Sequence, residues 1–432
     1  METIQAWTMI PFLIMLLLIA TAPLVAENYW ESNRHKLAST LFVAVPTAIY
    51  LICTGLGDEL AHQIFSDYVP FIILLLALFV VTGGIRITGD ITASPFVNSV
   101  ILLLGFVLAS FMGTTGAAML LIRPLLEINR QRTHKTHTIL FFIAMVANAG
   151  GILTPLGDPP LFLLYLRGAP FTWFMSLLPE WLFTGACLLA IYFVWDSIMV
   201  RKEPLEAMVA DLVDYKPIRI TGKLNFVWLA MILLSVIFLN ERYIPAMSRN
   251  DSFFLIRYLR EIALVIVIAL SMRLTPKRIR KENHFSWSPI IEVGVLFIGI
   301  FTTMTPALLY LRAHAAEVGL TMPWQFYYST GLLSSFLDNS PTAVAFHSVA
   351  TGLYPEALPE FIAGIPAPLM KAISLGAVFF GSMTYIGNGP NFMVKAIAER
   401  DGVRMPGFFG YMLKFSLIVL LPVYILVQLI FL

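Results

Sequence analysis

The sequence predicts an all-α polytopic membrane protein with about 10 transmembrane helices in two inverted repeats, each with a re-entrant hairpin and a broken helix. Three observations support this fold class: the composition, the lengths of the apolar segments, and polar interruptions that recur in the same order in both halves. Of the 432 residues, 58% are hydrophobic and only 12% are charged. An average soluble domain carries about twice that charge, so the excess apolar surface is expected to face lipid.

The apolar segments fall near 7–26, 37–56, 69–86, 94–128, 139–166, 173–195, 224–240, 254–274, 290–311, 323–353, 370–400 and 410–431. The first of them follows Glu2 and no basic residue, unlike the core of a signal peptide. We therefore expect it to be a membrane helix that is retained.

Two segments, 94–128 and 323–353, are too long for a single crossing. Polar or Gly-rich tips interrupt them, Gly113-Thr114-Thr115-Gly116 in the first and Asp338-Asn339-Ser340-Pro341 in the second. Lipid cannot satisfy free backbone groups, so irregular backbone at membrane depth must lie inside protein or beside a wet cavity. Both segments are therefore predicted to be re-entrant hairpins.

Two other segments are predicted to be crossings that unwind in the middle. The run Thr154-Pro155-Leu156-Gly157-Asp158-Pro159-Pro160 interrupts 139–166, and Gly387-Asn388-Gly389-Pro390-Asn391 interrupts 370–400. Proline and glycine at these positions are poorly compatible with a continuous helix.

The interruptions pair across the chain at a nearly constant spacing. Ser110–Ala118 aligns with Ser335–Ala343, and Thr154–Pro160 aligns with Thr384–Pro390. We therefore divide the chain into a first half at 1–195, a linker at 196–223 and an inverted second half at 224–432. The linker, with mixed charges and two prolines, is expected to be a cytoplasmic surface helix. Paired breaks of this kind indicate the binding site of a transporter.

The distribution of basic residues predicts the orientation of the chain. If the first hairpin enters from the cytoplasm, the loops 127–138, 196–223 and 275–289 lie inside, and 57–68 and 354–368, which lack Lys and Arg, lie outside. This satisfies the positive-inside rule. We expect a multi-pass protein of the plasma (inner) membrane with both termini outside.

Asp158 and Asp338 are the most informative residues, because each lies at a break and shortly before a proline. Aspartate is a good N-cap, but a central acidic residue costs about 2.5–3.5 kcal/mol in a membrane helix, and a cap contributes only about 1 kcal/mol. A Ser, Thr or Asn would cap without that penalty. The pair therefore indicates a cation or proton site, with sodium as the tentative metal ion.

Neutral oxygen donors are concentrated at the same four breaks. The candidates for ion or substrate binding, besides the two aspartates, are Thr114, Thr115, Asn148, Thr154, Gly157, Asn339, Ser340, Thr342, Thr384, Asn388 and Asn391. Hard cations bind several oxygens of this type. Any single residue of the set is as well explained by hydrogen bonding between helices.

The run from Asn148 to Pro160 resembles the signature of the ion transporter superfamily, and within it the NhaD-type sodium:proton antiporters and the putative citrate transporter family. Asp338-Asn339-Ser340-Pro341-Thr342 resembles the second-hairpin motif of that superfamily, and Gly387-Asn388-Gly389-Pro390-Asn391 fits its last broken helix. The resemblance implies a scaffold domain, a transport domain with elevator-like motion, and often a homodimer. The first hairpin departs from the Ser-Asn-Thr tip of the carboxylate carriers.

The resulting expectation is a secondary active transporter, foremost a sodium(cation):proton antiporter in which Asp158 and Asp338 bind either the cation or protons. The alternative is a cation-coupled symporter of citrate or another small carboxylate, with the substrate at helix N-termini. We expect no cofactor, no enzymatic activity and no nucleic-acid partner; the partners are the lipid bilayer and the transported ion or carboxylate. An intramembrane aspartyl protease is disfavoured, because Pro155 occupies the first glycine position of the Gly-x-Gly-Asp motif.

Overall fold

The computed structural model describes residues 5–213, 215–247, 254–356 and 358–432. Within these ranges helices form nearly all of the regular structure, and one antiparallel pair of strands forms the sheet. Seven of the described helices are long and apolar enough to span a membrane, and shorter apolar helices accompany them. The predicted all-α polytopic class is confirmed.

The first half consists of membrane helices, one hairpin and one broken helix. Its elements are α1 (Ile10–Val25), α2 (Asn33–Cys53), α3 (Gly57–Thr82), β1 (Arg86–Asp90), the hairpin arms α4 (Pro95–Met112) and α5 (Thr114–Ile128), the broken helix α6 (Thr136–Met145) and α7 (Pro159–Leu166), and α8 (Leu178–Val200). Shorter helical pieces are Ala6–Met9, Glu27–Trp30, Ala149–Leu153, Phe171–Phe174 and Met175–Leu177.

The second half repeats this order after a short connection. The connection contains α9 (Leu205–Val213) and β2 (Lys216–Thr221). The elements of the second half are α10 (Leu224–Phe238), α11 (Leu259–Leu274), α12 (Lys277–Glu282), α13 (Ser288–Ala313), the hairpin arms α14 (Pro323–Phe336) and α15 (Asn339–Leu353), the broken helix α16 (Ala367–Phe380) and α17 (Gly389–Arg400), and α18 (Phe408–Phe431). Shorter pieces are Pro245–Met247, Phe254–Arg257, Ala315–Val318 and Gly381–Met383.

The hairpin tips form where the sequence interrupts the helices. In the first hairpin Gly113 separates the two arms with a φ of +81°, a conformation that glycine adopts without strain. In the second, the chain is extended at Leu337, and Asp338 caps α15 through its own carboxylate. The two arms of each hairpin pack against each other.

The broken helices lie in the interior of the protein. In the window Thr136–Leu153, 89% of the residues are buried, compared with 28% in Asn33–Cys53. Exposed apolar side chains instead cover the outer faces of α1, α2, α8 and α18, as expected for lipid contact. The irregular backbone therefore lies where protein groups, not lipid, surround it.

The two halves interlock. The second hairpin arm α5 packs on α17, and its counterpart α15 packs on α7, so each arm contacts the broken helix of the other half. In the same way α1 and α2 pack on α13, while α10 and α11 pack on α3. This reciprocal packing brings both hairpin tips and both breaks to one central region.

The linker differs in part from the predicted surface helix. Residues Leu205–Val213 are helical, but Lys216–Thr221 form a strand that pairs antiparallel with β1, with Ile220 opposite Ile87. Pro217 disfavours helix, and the β-branched residues that follow it favour an extended chain. The strand connects the linker to the segment that enters the first hairpin.

Candidate functional site

Asp158 lies at the centre of the interlocked region and is fully buried. Its carboxylate accepts three hydrogen bonds from side chains of three different elements. Thr114 Oγ1 donates to Oδ1 at 2.8 Å, Asn388 Nδ2 donates to Oδ1 at 3.2 Å, and Asn339 Nδ2 donates to Oδ2 at 2.9 Å. Four sequence-predicted residues, from both hairpins and both breaks, thus meet at one carboxylate.

Four helices begin at this point. The first residues are Thr114 in α5, Pro159 in α7, Asn339 in α15 and Gly389 in α17. Helix N-termini carry partial positive charge and unpaired N–H groups, so all four favour negative charge between them. This explains how a carboxylate is tolerated in the interior of a membrane protein.

A chain of asparagine amides extends from the carboxylate. Asn388 Nδ2 also donates to Asn148 Oδ1 at 3.2 Å, and Asn148 Nδ2 donates to Asn391 Oδ1 at 2.7 Å. Asn391 Nδ2 then donates to the backbone oxygen of Gly381 at 2.8 Å. The predicted residues Asn148 and Asn391 therefore support Asn388 and do not contact Asp158 directly.

Thr154 and Thr384 anchor the two breaks in the same way. The Thr154 hydroxyl donates to the backbone oxygen of Ser110 in the first hairpin, and the Thr384 hydroxyl donates to that of Ser335 in the second. These are the residues that align between the halves in the sequence. Both threonines hold an unwound segment against its own hairpin and make no hydrogen bond to Asp158.

Gly157 allows the first hairpin and the first break to approach each other. Its backbone oxygen accepts a hydrogen bond of 2.7 Å from the backbone N–H of Thr114. A Cβ atom at Gly157 would collide with the backbone oxygen of Gly151. Gly157 therefore contributes close backbone packing next to the site.

The tip of the second hairpin is a helix cap. Asp338 Oδ1 accepts the backbone N–H of Ser340 at 2.9 Å, and the Thr342 hydroxyl donates to the backbone oxygen of Asp338 at 2.9 Å. Asp338 makes no hydrogen bond to Asp158, but its charge acts on Asp158 through space. The buried hydroxyl of Ser340 lies beside Asp338 without a hydrogen bond of standard geometry, and Thr115 is half-buried with no hydrogen bond to Asp158.

The site has no positively charged side chain in contact with Asp158 among the described residues. Lys395 follows the second break, but its ammonium pairs with Glu399 at 2.8 Å and lies 5.4 Å from the centre of the Tyr385 ring. An ionised Asp158 is therefore compensated only by neutral donors and helix ends. A cation or a proton would therefore complete the charge balance at Asp158.

Ser334 is a site residue that the sequence did not reveal. Its hydroxyl lies 2.6 Å from Asn339 Oδ1 and 2.6 Å from the backbone oxygen of Ala377. This contact orients the amide of Asn339 so that Nδ2 faces Asp158. A serine four residues before the tip carries no distinguishing signal, because serine in a membrane helix usually bonds to its own backbone.

Buried breaks, interlocked halves and a buried carboxylate without a cationic partner are features of a polytopic secondary transporter. The chain belongs to the family described as "Putative citrate transport", which matches residues 1–432. It is also 25% identical over 409 residues to an uncharacterized transporter of Mycobacterium tuberculosis and to one of Mycobacterium bovis. Each alignment covers 89% of this chain and 90% of the relative.

Proposed function

We propose that this secondary transporter exchanges a cation, foremost sodium, for protons at Asp158. One observation carries the proposal: a fully buried carboxylate whose three hydrogen-bond partners are all neutral. Burial of an ionised group is unfavourable unless opposite charge accompanies it. Asp158 therefore gains by binding either a cation or a proton, and the two compete because they occupy the same carboxylate.

Asn339 provides a way for the site to serve both ligands. The Ser334 hydroxyl has one proton, which it can give to Asn339 Oδ1 or to the backbone oxygen of Ala377, but not to both. If it is given to Ala377, the amide of Asn339 can rotate and turn Oδ1 towards Asp158. In that orientation the Asp158 carboxylate and the Asn339 amide oxygen can coordinate one cation together.

The remaining ligands come from the same helix ends. Thr114 supplies a hydroxyl oxygen next to the carboxylate, and the buried hydroxyl of Ser340 lies beside Asp338 without a hydrogen bond of standard geometry. Asp338 adds negative charge at the tip of the second hairpin, which favours cation entry. Sodium accepts oxygen ligands of these types.

Proteoliposomes that contain the purified protein and a pH-sensitive dye test the proposal. Sodium, lithium, potassium and citrate are added in turn outside. Sodium-driven proton release from the lumen, absent in protein-free vesicles, is the expected result. Citrate-driven or sodium-plus-citrate-driven uptake with no response to sodium alone would contradict it.

A cation-coupled symporter of a small carboxylate is the second candidate. The convergence of four helix N-termini favours it, because such ends bind carboxylate groups. The family description, citrate transport, points the same way. In that mechanism Asp158 holds the coupling ion, and the citrate arm of the same experiment distinguishes the two.

For the orientation, we propose that both termini lie outside the plasma membrane. The support is that basic residues, among them Arg278 and Arg280 of α12, are concentrated in the loops predicted to lie inside, as the positive-inside rule requires. Cysteine labelling of single sites in 275–289 and 354–368 should modify them from opposite sides. Modification of both from one side would refute this topology.

A further inference from the structure

A buried ion pair joins the two halves away from Asp158. Lys371 Nζ in α16 donates to Glu180 Oε1 in α8 at 2.6 Å. The Glu180 side chain is 1% exposed, and the Lys371 side chain is 29% exposed. The pair lies near the start of both helices, on the side predicted to face outside, and Lys371 connects it to solvent.

The second carboxylate oxygen of Glu180 is left without a partner. Oε2 is buried and has no hydrogen bond among the described residues. Leaving a buried acceptor without a hydrogen bond costs about 1–3 kcal/mol of stability, and more when the acceptor is charged. Water or a proton at Oε2 would remove that cost.

Two more unpartnered polar atoms lie one helical turn deeper. Thr184 follows Glu180 by four residues and Ser374 follows Lys371 by three, so each lies on the same helix face as its predecessor. Both residues are fully buried, and Thr184 Oγ1 and Ser374 Oγ have no partner among the described residues. Buried polar groups without protein partners are typical positions for ordered water.

The two helices of the ion pair also pack next to the central site. Both α8 and α16 contact the turn Ala149–Leu153, and Trp181 Nε1 donates to the backbone oxygen of Gly150 in that turn at 3.2 Å. Asn148 immediately precedes the turn, and Asn388 donates to both Asn148 and Asp158. The helices that carry Glu180 and Lys371 therefore contact the turn that adjoins the hydrogen-bond network of Asp158.

We propose that Glu180 is a second proton-binding carboxylate, which supplies Asp158 with protons from the outer solution. A hydronium ion gives its proton to Glu180 Oε2, while Oε1 stays on the Lys371 ammonium. The proton then passes through water held by Thr184 and Ser374 to the Asp158 carboxylate, and Glu180 returns to its ionised form. This inference rests on the proposed cation/proton exchange.

Lys371 is the charged group that faces Glu180 among the described residues. The helix α4 and the turn Ala149–Leu153 contain no titratable side chain. In the part of α18 that packs on α8, the titratable residue is Tyr424, whose hydroxyl is 2.6 Å from Ser382 Oγ. In α6 the titratable residue is His137, which contacts Asp196 at the other end of α8.

The test compares two lysine–glutamate ion pairs with the same distance between nitrogen and oxygen. Glu292 in α13 is 2.6 Å from Lys36 and lies outside the central region, so E292Q is the matched control for E180Q. In proteoliposomes loaded with sodium, where exchange moves protons from the outer solution into the lumen, E180Q should slow proton uptake about tenfold or more, as expected for loss of a positioned proton carrier. Its dependence on outside pH should flatten, while E292Q keeps the wild-type profile.

An E180Q profile that matches the wild type, with lower thermal stability only, would show that the pair is structural and overturn the inference. If the wild type exchanges no cation for protons, the proposed function fails and a second measurement decides on Glu180. Difference infrared spectra of D158N between neutral and acid pH should contain a protonated-carboxyl band that D158N/E180Q lacks. Identical spectra of the two variants would refute proton binding at Glu180.

Discussion

The first break has Asp158 where the second has Asn388, although both residues precede a half-helix and both breaks are anchored by a threonine to the neighbouring hairpin. At the hairpin tips the aspartate belongs to the second half instead, since Gly113 in the first hairpin aligns with Asp338 in the second. The two halves thus share a backbone arrangement and differ in charge. The repeat positions the groups, and the asymmetry places the fully buried carboxylate in the first half.

The largest effect should come from removing the central charge. The Asp158 side chain makes no cap hydrogen bond to α7, and D158N keeps the size of the side chain but removes the charge and the titratable proton. We expect sodium-driven proton flux in proteoliposomes to be abolished, with normal insertion and folding. Substantial flux in D158N would show that the charge is not required.

The double variant D158N/N388D sharpens this comparison, because it moves the carboxylate to the equivalent position of the other half. Asn388 Nδ2 is 3.2 Å from Asp158 Oδ1, so the transplanted charge remains within hydrogen-bond distance of position 158. We expect part of the lost flux to return. Complete inactivity of a well-folded double variant would indicate that the two halves are not functionally equivalent at this position.

The next effect concerns the two threonines at the first tip. Thr114 donates to Asp158 at 2.8 Å, whereas its neighbour Thr115 makes no such hydrogen bond. T114V should weaken sodium binding about 10- to 150-fold, since a hydrogen bond to a charged group contributes about 1.5–3 kcal/mol. T115V is the matched control, and a larger loss in T115V than in T114V would contradict the site geometry.

A smaller effect is expected at the second tip. Asp338 acts on Asp158 through space and caps α15. D338N retains the cap, so we expect a higher KM for sodium with little change in the maximal rate. Inactivity as complete as that of D158N would mean that both aspartates bind the ion directly.

The smallest effect on transport should come from the anchoring threonines. T154V and T384V each remove one buried hydrogen bond between a break and its hairpin. Each should lower the stability of the detergent-solubilised protein by about 1–3 kcal/mol and leave the KM for sodium nearly unchanged. A large rise in KM with unchanged stability would assign a ligand role to that threonine.

The sequence predicted the breaks because their cause is local. Proline, glycine and polar residues interrupt apolar segments at Gly113, Asp338 and in the runs around Asp158 and Asn388, and the helices end and begin there. The crossing helices were predicted because a long apolar segment is also a local property of the sequence. The strand at 216–221 was missed, because its pairing with β1 depends on residues more than 120 positions earlier.

The central site was predicted only in part. The sequence locates Asp158 and the polar residues around it, but it does not tell Thr114 from Thr115, since that difference depends on the rotation of α5. It also gave no signal for Ser334 or for the pair Glu180–Lys371, because each contact depends on how distant helices pack. The positions of the helix breaks could be predicted from the sequence, whereas the contacts between the halves could be identified only from the structure.

Proton release on sodium binding tests the central claim most directly. Isothermal titration calorimetry of the purified protein in buffers with different ionisation enthalpies measures both sodium affinity and the protons exchanged. We predict that sodium binding to the wild type releases protons and weakens as the pH falls, because protons hold Asp158 neutral, and that D158N gives neither signal. Sodium binding without proton release, or equal binding to D158N, would contradict competition at Asp158.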